Sequence, residues 1–246
     1  TTTAEPEKKM QQQMIAHLQQ QLNQHRDSTG LRLQLVNVLD STGQYKEALQ
    51  HLDTLTSKDS ANYGLWFTKG KVAEDAADTA LAEESYLKAL GVYRAPDAML
   101  ALANLLAEQK DERCLLLAKQ VKDMGLGRDY DAHAAFIKGI YNARTANRQM
   151  AIKFFDECIA NNYTYMEAYI EKGLVYFDNR QFDSALKIFS FAGNINSLYA
   201  DAFYYQARCY EMINKKDSAI LKFKQSLTID RNLTEARDGL KRLGGE

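Results

Sequence analysis

A period of 34 residues governs this sequence. Gly139, Gly173 and Ala207 fall at that interval, as do Ala151, Ala185 and Ala219. Phe155, Phe189 and Phe223 form a third column, and Cys158, Ala192 and Ser226 a fourth. Tyr176 and Tyr210 add a further pair, and the ladder continues upstream from Val36 to Gly70 and from Ala48 to Ala82. Independent columns in one register leave the chain little freedom: it must build an array of like units, each stacked on its neighbours.

Within each period the apolar residues recur three and four apart, the signature of amphipathic helices. Only two prolines, Pro6 and Pro96, interrupt the chain. That scarcity, with plentiful Ala, Leu, Gln and Lys, favours long helices. Small residues in the first helix of a unit and Ala in the second allow an antiparallel pair to approach closely. The aromatics are expected to fill the space between successive pairs. No pair can bury its stripe alone, so the array must stack and must have capped ends.

Six units fit the period, over residues 29–62, 63–95, 96–131, 132–165, 166–199 and 200–233. The third is degenerate. Ala98, Leu102, Ala103 and Leu106 serve its first helix, whereas Cys114, Leu117, Ala118 and Val121 place its second one residue out of step. The connector Met124–Asp129 reads as a longer loop at a local bend, its glycines ending the preceding helix. Residues 1–28 are expected to form a polar lead and a capping helix. In that helix, a Gln-rich stretch over 7–26, Met10, Met14, Ile15, Leu18 and Leu22 fall on one covering side. Residues 234–246 are expected to form the other cap, through Leu233, Ala236, Leu240 and Leu243, with Arg237, Lys241 and Arg242 towards solvent.

The stretch Trp66-x-x-Lys69-Gly70 followed by Ala82, Tyr86 and Ala89 resembles the tetratricopeptide repeat. Tyr169, Gly173, Tyr176, Ala185, Phe189 and Ala192 match that family's pattern better still. Its helix-ending proline is mostly missing, since Ser197 and Arg231 stand in that place and only Pro96 lies near it. The resemblance implies an all-α fold, a right-handed α-α superhelix of six repeats with capping helices. It also implies a non-catalytic scaffold for protein–protein interaction, which takes a peptide or helix of a partner in a concave groove lined by the first helices.

On that resemblance the residues facing the groove are Leu33, Phe67, Leu100, Phe136, Ile170 and Tyr204, and one turn on Asn37, Lys71, Asn104, Ile140, Leu174 and Arg208. Some members grip a terminal carboxylate with Lys and Asn at these places. Leu33 with Asn37, and no matching Lys-Arg pair, leaves that clamp out here. What remains is an apolar patch on the fourth and fifth repeats, Phe136, Ile140, Ile170, Leu174 and Phe177, with Tyr204 beside it. Asn104, Arg144, Asp178 and Arg208 are expected to flank it as polar contacts. Exposed contiguous apolar surface marks a contact site, and this one suits an amphipathic helix or an extended apolar peptide. The rival reading is that the protein's own packing covers the ridge.

Other functional classes find little support. The 31 basic and 32 acidic residues leave a net charge of −1 with no basic stripe, so nucleic acid is not expected as a partner. No apolar run approaches the ~18 residues of a membrane span. Cys114, Cys158 and Cys209 fit neither a zinc site nor a disulfide framework and read as buried packing residues. His17, His25, His51 and His133 are scattered, and no metalloprotease, nucleophile-elbow or phosphate-loop motif occurs, so no catalysis, metal or cofactor is expected. The alternative to an adaptor is self-assembly, a homodimer through the same patch or the Gln-rich helix, or an accessory subunit of a cell-envelope assembly. The opening Thr-Thr-Thr-Ala-Glu-Pro-Glu resembles the tether of an exported bacterial protein. A periplasmic or lipid-anchored location is therefore the expectation, with the cytoplasm as the other.

Overall fold

The computed structural model describes residues 4–245, with side chains from Lys8 onward. Among the described residues there are fourteen α-helices and no strand. They are α1 (Ala4–Gln24), α2 (Thr29–Ser41), α3 (Tyr45–Lys58), α4 (Tyr63–Asp75), α5 (Thr79–Val92), α6 (Pro96–Glu108) and α7 (Arg113–Asp123). Then follow α8 (Arg128–Arg144), α9 (Arg148–Asn161), α10 (Met166–Asp178), α11 (Phe182–Ile195), α12 (Ala200–Met212), α13 (Lys216–Ile229) and α14 (Thr234–Leu243). The polar lead expected at the N-terminus falls partly outside the described residues. The chain forms two compact units, Thr1–Leu105 and Leu106–Glu246, the division falling inside α6.

In the first unit α2 packs on α3 and α4 on α5, with α1 laid against α2. Ile15, Leu18 and Leu22 of α1 join Leu35, Leu39 and Leu52 in one apolar cluster. Gln19 donates from Nε2 to Glu47 Oε1 at 2.9 Å, tying the cap to α3. Met10 and Met14, expected on the covering side, are instead 64% and 55% exposed. Four residues turn the helix by about 400°, so the row running back from Leu22 and Leu18 through Met14 to Met10 drifts by about 40° per step away from the buried side.

The second unit pairs α8 with α9, α10 with α11 and α12 with α13; α7 lies on α8, and α14 closes the stack on α13. The glycine column now has a specific reason. An added Cβ at Gly139 would lie 2.5 Å from the ring of Phe155, and at Gly173 it would lie closer still to Phe189. Gly70 meets Tyr86 in the same way in the first unit. The aromatic therefore lies flat over its own pair's glycine, rather than only between successive pairs as expected. Phe155, Phe189 and Phe223 are fully buried by this contact and its surroundings. Phe223 also faces Gly239 of α14, which lets the cap approach as closely as a repeat would.

The turn inside every pair is the same device. Its central residue has positive φ: Gly43, Ala77, Lys110, Ala146, Arg180 and Asn214. In the fourth pair Asn147 N–H donates to the Asn142 carbonyl at 2.8 Å and Ala146 N–H to Ala143 at 3.1 Å. That is the double hydrogen bond of a Schellman cap, which satisfies the last carbonyls of the helix. The turn between pairs uses a different residue. Asn162, Asn196 and Asp230 each accept with Oδ1 from the N–H two residues on, at 3.0, 3.0 and 2.8 Å. These side chains bend the chain locally and make the family's proline dispensable.

The third pair's irregularity lies in its helices. The connector expected to be long is only Met124–Gly127, four residues like Asn162–Tyr165 and Asn196–Tyr199. The displacement is taken up instead by a short α7 of 11 residues and a long α8 of 17. Gly127 at φ 106° starts α8 early, so Arg128 and Asp129, assigned to the connector, are helical.

Candidate functional site

The first helices α8, α10 and α12 touch one another in sequence across the second unit. Their common side is thus a continuous surface, and most of the expected site residues lie on these three helices. The structure sorts them by depth. Phe136, Ile140 and Ile170 are 8%, 1% and 7% exposed, so the expected free patch is corrected: these three belong to the core. Phe136 packs on the rings of Phe155 at 5.9 Å and Tyr165 at 5.0 Å. Ile170 joins the cluster around Tyr169 and Phe189. Tyr204 is buried too, against Tyr205 at 4.9 Å and Phe223 at 5.9 Å. Phe136 and Tyr204 each pack on the second-helix ring of their own pair, and Ile170 shares a cluster with Phe189 of its own pair, which helps to cover them.

Leu174 and Phe177 stay half-buried and so remain reachable, and Asp178 is exposed at the end of α10. Arg144 is not a free contact. Its guanidinium donates to Glu108 at 2.7 and 3.1 Å and to Glu171 at 3.0 and 3.2 Å, spanning α6, α8 and α10. Burial alone would weaken its charge, but the two carboxylates outweigh burial and hold the proton more firmly. Arg208 lies over the Phe177 ring at 5.8 Å, donates to Tyr204 Oη at 3.0 Å, and sits 3.5 Å from Glu211. Glu211 in turn accepts from Arg242 of α14 at 2.7 and 2.9 Å. Asn104 belongs to the first unit, where its Oδ1 is buried without a hydrogen bond. A cavity of about 130 Å³ opens between α8 and α10, with Arg144, Arg148, Glu171, Leu174 and Asp178 in its lining.

Sequence reasoning passed over the partners of these arginines. Glu108, Glu171 and Glu211 stand 36, 27 and 31 residues from Arg144 and Arg242, intervals that share no period. It also passed over Tyr199 and Tyr205, which pack half-buried beside Tyr169 and Ile170. The three cysteines are fully buried, and burial first of all pushes each thiol up to about 12. His51 Nδ1 lies 3.0 Å from Arg32 Nη1 in the first unit, and burial and then Arg32 lower its basicity. Among the described residues no group of His, Cys, Asp and Glu is placed to hold a metal ion, and no helix is long and apolar enough to cross a membrane.

The tetratricopeptide repeat model matches residues 33–91 and 170–233, together half of the chain. No curated protein matches it significantly. Among solved structures, a tetratricopeptide repeat protein from Parabacteroides merdae superposes with a TM-score of 0.76 at 14% identity, over 94% of this chain and 91% of that one. PilW, described as a widely conserved type IV pilus biogenesis factor, gives 0.66 at 15% identity over 85% and 97%. The C-terminal part of a repeat-containing protein from Cytophaga hutchinsonii gives 0.55 at 14% identity over 85% and 84%. At such identities these likenesses speak for the fold, an all-α helical-repeat solenoid. Repeats of this kind are generally non-catalytic and serve as scaffolds for protein interaction. With the family model, the shared fold and the 34-residue ladder in agreement, this chain belongs to the tetratricopeptide repeat family.

Proposed function

We propose that the first-helix surface of the second unit docks an extended or helical segment of a partner protein. One observation carries this reading: α8, α10 and α12 touch in series, and the apolar side chains Leu174, Phe177 and Tyr205 remain partly open along them. A row of half-buried apolar residues on rigid helices offers preformed contact area at little ordering cost. Arg144 and Arg208, engaged within the fold, shape the walls of this surface rather than reach for the partner.

Phe136 and Ile140 are poor probes, because truncating buried side chains loosens the core itself. The informative variant is Leu174→Ser with Phe177→Ser. Peptides selected on the immobilised chain from a random displayed library should lose binding to this variant, by about tenfold or more. Its helical circular dichroism should stay close to that of the parent. Retention of the selected peptides by the folded double variant would remove the proposal.

A further inference from the structure

The turn between α1 and α2 is closed by Arg32, whose Nη2 donates to the Arg26 carbonyl at 3.0 Å. The same bond, from a side chain to the carbonyl six residues back, closes three other turns between pairs. There the donors are Trp66 to Ser60 at 2.8 Å, Tyr169 to Tyr163 at 3.0 Å and Arg237 to Arg231 at 2.6 Å. Arg32 differs from Trp66 and Tyr169 in its charge, and a histidine holds it: its Nη1 lies 3.0 Å from His51 Nδ1. A guanidinium can only donate, so Nδ1 is the bare nitrogen of the ring and Nε2 carries the proton. Nε2 stands 4.0 Å from Glu47 Oε1. That same oxygen accepts from Gln19 Nε2 of α1 at 2.9 Å. Two polar ties of α1, one at its turn and one on its face, therefore both end on a neighbour of His51.

We infer that His51 is an acid-operated latch, whose protonation loosens α1 from the rest of the first unit. Once Nδ1 carries a proton it changes from acceptor to donor, so the bond from Arg32 is lost and two cations face each other. The charged ring draws Glu47 towards Nε2 and away from Gln19. What then holds α1 is chiefly the apolar contact of Ile15, Leu18 and Leu22 with the cluster of Leu35, Leu39 and Leu52.

The charges that act on the ring are Arg32 of α2 and Glu47 of its own helix; no charge of α4, also packed on α3, is among them, and α1 brings the neutral Gln19. Burial lowers the basicity of His51 first and Arg32 next, while Glu47 opposes both. A base weakened by folding contributes stability that is present above its ordinary value of 6.5 and is lost as pH falls below it. The ring lines an open cavity of about 590 Å³ with Lys46, Glu47 and Gln50, which gives water access to it.

The test is hydrogen–deuterium exchange of the full chain at pH ~7.5 and ~5.5, with rates corrected for the intrinsic pH dependence of amide exchange. Residues 10–24 should lose protection by up to about tenfold at the lower pH. Residues 63–75 of α4, in the same unit, should lose clearly less. In His51→Gln the amide oxygen can accept from Arg32 at either pH, so α1 should keep its protection at pH ~5.5. His17 and His25 remain in that variant and control for histidine titration elsewhere.

The inference is overturned if the protection of α1 does not fall with pH, or if it falls equally in His51→Gln. An equal loss in α1 and α4 overturns it too, because the unit then opens as a whole. Should His51→Gln fail to fold, Arg32→Ala decides. Without the guanidinium α1 should be less protected at pH ~7.5, and its further loss at pH ~5.5 should be smaller than the parent's. A further loss as large as the parent's would defeat the latch.

Discussion

An alanine or an arginine held at positive φ raises the free energy of the folded chain, because its Cβ crowds the following carbonyl. The penalty is about 1–2 kcal/mol per residue, against about 0.5–1 kcal/mol of extra unfolded-state entropy for glycine. Ala146 at φ 62° and Arg180 at φ 58° occupy such turns. Ala146→Gly and Arg180→Gly should each stabilise the chain by about 0.5–1 kcal/mol in urea unfolding, and Gly43→Ala, at φ 75°, should destabilise it similarly. The glycine beneath an aromatic obeys the opposite rule. Gly173→Ala drives a methyl into the Phe189 ring and should destabilise by about 1–3 kcal/mol. Asp201 supplies a prediction in pH. Its carboxyl is raised above the ordinary 3.8, so its favourable contribution is fully present below that value. It is lost as pH rises through the raised one. Asp201→Asn should therefore melt above the parent at pH ~7 and converge with it below pH ~4.

Helix pairs meet through apolar ladders that the period reveals and through charged clasps that it does not. Arg144 joins three helices by binding two carboxylates at once, with its side chain about one third exposed. Arg144→Ala leaves Glu108 and Glu171 facing each other without their cation and should destabilise by about 1–3 kcal/mol, less in high salt. Arg144→Lys should recover little, since an ammonium cannot fork to two carboxylates. This contrast shows which parts of the molecule were legible beforehand. The columns through Gly173, Ala185 and Phe189 are local geometry repeated, so spacing alone located the helix pairs and much of their core. Phe136 and Ile140 read as surface because periodicity marks a face and not its depth, and depth depends on contacts such as those of Phe136 with the Phe155 and Tyr165 rings. Arg144 read as a partner contact because Glu108 and Glu171 reach it from different helices at unrelated intervals. The turns between pairs stayed hidden for a simpler reason: an asparagine side chain at Asn162 or Asn196 does the bending expected of proline.

At the scale of the molecule, a repeat array is stabilised by each unit's own packing plus its nearest-neighbour contacts, so its parts need not unfold together. Two compact units divide this chain, and the sequence places an independent reporter in each. The single tryptophan, Trp66, lies in α4 of the first unit, 9% exposed and with its Nε1 donating to the Ser60 carbonyl at 2.8 Å. All three thiols, Cys114, Cys158 and Cys209, lie fully buried in the second. The second unit also carries Phe155, Phe189 and Phe223 as fully buried rings, where the first has Leu52 and Tyr86 in the corresponding places. Burial of a large aromatic contributes more than that of a leucine, so the second unit should be the more stable. In a urea titration, Trp66 fluorescence should change at a lower midpoint than the reactivity of the thiols toward a disulfide reagent. In the absence of urea the thiols should be inert even at pH ~8, because burial keeps them protonated as well as covered. Coincident midpoints would mean that the repeats are coupled strongly enough across α6 to unfold as one. The reverse order would mean that the leucine-rich first unit, with α1 closing it, outweighs the phenylalanine ladder.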